Sequence, residues 1–163
     1  MPKSNKASYR HHLLSLSVMG FARLRDGLHV RPNNFVGGVK AQAQRLRALG
    51  LAEQAVCFQL SGLEKQVEAE ARKLWRVETL MKQDQKYLEA LENSLKAFDK
   101  MPLGEATKES LLLGRMVIAH LVRDPVLPPA LMPPQPRVQL QKQMAAYQAK
   151  ARRLWMTWLR GKT

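Results

Sequence analysis

The sequence predicts an α+β chain, with a β-hairpin near the N-terminus and a mainly α-helical remainder. Three observations predict it. Asp26-Gly27 lies between two short alternating runs, Phe21 to Arg25 and Leu28 to Arg31, and this dipeptide readily takes the positive φ angles of a two-residue hairpin turn. Apolar residues at helical spacing, Phe35, Val39, Ala43, Leu46 and Leu49, stop at Gly50, where a helix-closing glycine belongs. Leu140, Met144, Tyr147, Ala151, Leu154 and Trp158 step by alternate fours and threes, the seam of a helix packed on other helices.

Taken in order, Met1 to Ala7 is polar, basic and expected to fray. From Tyr9 an imperfect helix carries Leu13, Leu14, Leu16, Val18 and Met19 to Gly20, a residue able to close it. Pro32 ends the second hairpin strand, and Asn33 or Asn34 is the expected N-cap of the next helix. Gly37-Gly38 reads as close packing or a loose first turn, since no phosphate-loop consensus surrounds it. Ala52 to Leu60, with Val56, Cys57 and Phe58 in sequence, reads as a strand buried on both faces. Ser61 and Glu64 fit a capping box ahead of a long helical stripe from Leu63 to Phe98, with a bend or break expected at the polar stretch Lys82 to Lys86. After a turn at Met101 to Gly104, Thr107 is the expected cap of a helix so apolar around Leu111 to Val122 that it belongs in a core or a dimer interface. The proline-dense segment 124–136 must run extended as a strap.

The 163 residues hold 45% apolar side chains, enough for a core. Charge is uneven: residues 1–50 carry nine basic and one acidic residue, 51–100 eight and nine, and 101–163 ten and three, for a net +14. Such a field favours phosphate-bearing partners without choosing among nucleic acid, nucleotides, coenzyme A or an anionic membrane. One cysteine, Cys57, excludes an internal disulfide and suits the reducing cytoplasm. No apolar run approaches the roughly 20 residues that span a bilayer, so no membrane role is expected.

Catalytic patterns are absent from the sequence. There is no nucleophile elbow, metal-spaced cluster or dinucleotide fingerprint. His11 and His12 are adjacent and point about 100° apart on a helix, and His120 reads as a satisfied core histidine. The middle-helix carboxylates Glu64, Glu68, Glu70, Glu89 and Glu92 alternate with basic residues, as on a solvated face. Trp155 and Trp158 among arginines read first as packing and second as stacking platforms. The chain is not expected to be an enzyme or to hold a cofactor or a metal.

Gly20 to Asn34 (GFARLRDGLHVRPNN), the helix end RLRALGL, the strand end VCFQL, Leu74-Trp75 in KLWRVETL and Asp124 to Pro128 in RDPVLPPALMPP together resemble the PaaX family, repressors of phenylacetate catabolism. Over about Tyr9 to Pro134 the resemblance implies a truncated ferredoxin-like (split βαβ) domain at 1–61 that lacks its first strand. A helical C-terminal domain at 62–163, with the strap 124–136, follows. The family's N-terminal winged helix, its means of binding DNA, is not in this sequence. The aspartate that related CRISPR-adaptation nucleases place on the first strand is also lacking. The resemblance further implies an effector-sensing and dimerisation region that answers to an aryl acyl-CoA, and a homodimer. Charge and position single out Arg23, Arg25, His29, Arg31 and Arg123 as candidate effector contacts. The alternative is a basic, non-enzymatic adaptor for nucleic acid or a partner protein. An unpaired edge beside the hairpin is expected to invite pairing with another chain.

Overall fold

In a computed structural model, which describes residues 3–161, the chain is mostly helical with one small antiparallel sheet, an α+β composition. It divides into two compact units, one built from residues up to Arg76 together with Arg123–Met132, the other from Val77–Val122 and the residues from Pro133 onward. The sequence reading sets its boundary between 61 and 62, and the two units divide after Arg76. Arg123–Met132 of the proline strap fall with the hairpin, but the strap is not extended throughout as expected: the Leu131 and Met132 amides turn back to the Pro128 carbonyl, and Gln135 and Pro136 already belong to the last helix.

The first unit begins with α1 (Lys3–Val18). Of the segment expected to fray, residues 1–2 lie outside the described residues, and helix is already formed from Lys3. Gly20, at φ 74°, donates to the Ser17 carbonyl while the Phe21 amide reaches the Leu16 carbonyl, the paired bonds of a Schellman closure. Gly50 and Leu51 close α2 (Gly38–Ala48) in the same way. Between them β1 (Ala22–Arg25) and β2 (Leu28–Val30) pair antiparallel around Asp26-Gly27, with a bulge between Arg23 and Arg25. The N-cap of α2 is Gly37, not Asn33 or Asn34, and Asn34 instead donates to the Val126 carbonyl at 2.7 Å. Leu16, Leu46 and Leu51 form the core here.

Residues 52–60 form no strand. Val56 is 79% and Phe58 60% exposed, so burial on both faces does not occur: among the described residues no strand neighbours the segment to bond with it. The expected capping box is also displaced. Helix α3 (Lys65–Arg72) starts after Glu64, and Gly62 at φ 69° turns the chain where Ser61 would have begun a helix. The long helical stripe breaks at Lys73–Arg76, not at Lys82–Lys86.

The second unit is a three-helix assembly of α4 (Val77–Phe98), α5 (Leu103–Val122) and α6 (Gln135–Arg160). Leu91, Val117, Leu140 and Tyr147 are fully buried at its centre, which confirms the start of the seam read in α6. Helix α5 begins four residues before its expected cap, and the Thr107 hydroxyl donates back to the Leu103 carbonyl at 2.7 Å. Leu111, Met116 and Val122 on α5 remain about half exposed, at 53, 51 and 61%.

Tyr147 and Ser94 share a buried hydroxyl–hydroxyl hydrogen bond of 2.9 Å, and the Tyr147 ring lies 5.3 Å from that of Phe98. Burial pushes the phenol up from its ordinary value, a nearby Glu109 charge adds to this, and the Ser94 bond opposes it. Tyr147→Phe keeps the ring contact and leaves the Ser94 hydroxyl without its partner. A loss of about 1 to 2 kcal/mol is expected, read as a lower urea midpoint of the helical unit with unchanged slope.

Candidate functional site

The first unit contains a cleft of about 480 Å3, and three distant pieces of chain build the ground around it. The indole Nε1 of Trp75 donates to the Gly20 carbonyl at 3.1 Å. Asn34 ties the end of the hairpin to Val126, and a Cβ on Gly20 would stand 2.9 Å from the Pro125 Cα. Helix end, hairpin exit, the Trp75 bend and the strap are thereby locked into one frame.

Arg31 is the centre of that frame. Its guanidinium donates to the Met19 carbonyl, to the Pro32 carbonyl at 3.1 Å and to Asn34 Oδ1 at 2.9 Å, and it stacks 3.5 Å from the Phe35 ring centroid. Burial lowers its pKa to about 10, which still leaves it charged at neutral pH. The five donors of the planar group are well suited to such a hub.

Gly27 to Asn33 line one wall of the cleft and Ala55 to Leu60 the other, over a floor that includes Leu16, Gln42 and Leu46. Gln42 is only 7% exposed, and neither polar atom of its carboxamide has a hydrogen-bond partner. Buried amides are rarely left so.

The remaining sequence-selected residues are dispersed around the hairpin. Arg23 extends into solvent and pairs at 2.5 Å with Asp26, the two side chains being 66 and 91% exposed. Arg25 reaches Glu70 on α3 at 2.5 Å, and Arg123 is exposed at the start of the strap. His29 lines the cleft. Its pKa is lowered first by burial, then by repulsion from His12 and Arg23. Arg31 and His29 therefore face the cleft, whereas Arg23 lies outside its lining.

Two residues of the cleft and its frame are not singled out by the sequence. Gln42 stands three residues after Val39 and four before Leu46, so a polar side chain on an apolar stripe was the available signal. Asn34 reads locally as a cap, and nothing local distinguishes that role from its bond to residue 126.

The lowered pKa of His29 makes a pH prediction. The folded state disfavours its charged form, so its contribution is complete above about pH 6.5. Stability then falls as pH drops from there through the lower folded value, because the unfolded chain takes up the proton first. Urea titrations between pH 8 and 5 should show this decline, and His29→Gln should flatten it.

Among the described residues no three His, Cys, Asp or Glu side chains gather as a metal site, and no helix is long and apolar enough to cross a membrane. No protein-family profile, curated protein or solved structure matches the chain.

Proposed function

We propose that this chain is the effector-sensing and dimerisation portion of a PaaX-type transcriptional regulator, working in the cytoplasm by binding and not by catalysis. One observation carries the reading. The sequence pieces on which the resemblance rests meet in space, with Trp75 bonded to Gly20, Gly20 packed on Pro125 and Asn34 bonded to Val126. Residues so far apart in sequence have no local reason to match one family's pattern unless they keep one shared frame. The order hairpin, helix α2, extended segment also suits an incomplete ferredoxin-like half. The half-exposed apolar residues of α5 offer a face for a homodimer.

In this reading an aryl acyl-CoA is the effector, and Arg23, Arg25, His29, Arg31 and Arg123 supply the positive field for its phosphates, with Arg31 acting through the frame it holds. Titration calorimetry tests it. Phenylacetyl-CoA should bind at least tenfold more tightly than free coenzyme A, and binding of neither would overturn the sensor. The net charge of +14 favours a second reading, a basic adaptor. It requires affinity for random duplex DNA that falls steeply with salt, and no shift at low salt removes it.

A further inference from the structure

The two walls of the cleft share an uncommon property: each contributes consecutive residues, Gly27 to Asn33 and Ala55 to Leu60. Successive side chains of extended backbone point to opposite sides. A wall made by one face would contribute every second residue, so an unbroken run means that the backbone edge faces the space. Both edges are open. Among the described residues strand β2 bonds only to β1, and from Val56 to Leu63 the backbone makes no backbone–backbone hydrogen bond.

Residues 55–58 alternate as a strand would. Ala55 and Cys57 pack on the Leu16, Leu46 and Leu51 cluster, while Val56 and Phe58 point to solvent. The order β2, α2, extended segment is that of a crossover unit, whose two extended pieces run the same way when they share a sheet. A strand between them would run antiparallel to both, bonding each edge. Beneath the slot lies Gln42, buried and with donor and acceptor both unused.

We propose that this slot binds one extended strand of another polypeptide, apolar at alternate positions, with a carboxamide or hydroxyl side chain over Gln42 and acidic residues at its ends. A strand satisfies two rows of backbone groups and the Gln42 amide together, as in recognition by strand addition. The acidic ends follow from charge: this unit holds 14 Lys and Arg against six Asp and Glu. A second copy is the poorer filler, because it brings the same positive charge and its own open segment carries no acid between Ala55 and Leu60. This site does not rest on the regulator reading, and acyl-CoA titrations can fail without touching it.

The test uses the full chain and a nine-residue probe of alternating valine and threonine, with glutamine at its inward-facing centre and glutamate at both ends. Controls replace two valines by proline, the glutamates by lysine, or the central glutamine by leucine. The glutamate-ended probe should slow amide exchange at least tenfold in both Leu28–Arg31 and Val56–Leu60. The lysine-ended probe should bind at least tenfold more weakly at low salt, and the proline probe not at all. Central leucine should weaken binding to the wild type several-fold but not to Gln42→Leu, a double-mutant cycle that isolates the contact. No binding of the glutamate-ended probe to folded chain, protection of one wall alone, or equal binding of the proline probe overturns the proposal. Protection of both walls that rises with protein concentration, without peptide, assigns the slot to a second copy and also overturns it.

Discussion

Gly20→Ala is expected to lower the stability of the hairpin unit by about 3 kcal/mol. Two independent costs combine. Gly20 sits at φ 74°, where an L side chain costs roughly 1 to 2 kcal/mol. The added Cβ would also lie 2.9 Å from both the Cα and the carbonyl oxygen of Pro125, backbone that cannot rotate away as a flexible side chain would. Relief requires the strap to move, yet Asn34 holds the next residue, Val126, and Trp75 holds Gly20 itself. Overpacking of that kind costs about 1 to 3 kcal/mol. Gly27→Ala is the control, since it has the same φ of 74° but no atom within 4 Å of its Cβ, and only the conformational cost of about 1 to 2 kcal/mol applies. Urea unfolding of the two variants measures the difference. Equal losses would show that the strap yields freely and does not lock the frame.

The positions of Gly20, Asp26-Gly27 and Gly50 were legible because each is decided locally, by the few residues whose amides and carbonyls it must close. The α6 seam was legible for the same kind of reason: a helix repeats its own face. Residues 52–60 were not, because strand formation depends on a neighbour that the sequence does not announce. Their apolar run is compatible with a paired strand and with an open slot edge alike. The break at Lys73–Arg76 was equally hidden. It goes with the bond of Trp75 to Gly20, 55 residues away, whereas the polar stretch at Lys82 to Lys86 continues as helix with Asp84 turned inward. Of the candidate site, the basic hairpin was visible and the Gln42 floor was not, because a single glutamine on an apolar helix face weighs little without the cleft above it.

His120→Ala is expected to cost about 1 to 3 kcal/mol, the range for a buried polar group left without its hydrogen-bond partner. Asp84 is 1% exposed, its Oδ1 lies 2.6 Å from His120 Nε2, and its Oδ2 has no partner. His120 is therefore the neighbour through which this carboxyl group is satisfied, and the ring is itself held by Tyr87, with centroids 5.0 Å apart. Without the imidazole, a carboxyl group remains among α4 and α5 side chains with no hydrogen bond at either oxygen. Asp84→Leu alone leaves a more exposed imidazole unpaired and should cost less than His120→Ala. The double variant Asp84→Leu/His120→Leu removes both polar groups, and apolar replacement of a whole buried pair is often neutral or stabilising. It should therefore unfold at a higher urea concentration than His120→Ala. A double variant that loses the sum of the two single losses would show that the residues act independently, and the pair would then have no part in holding α4 against α5.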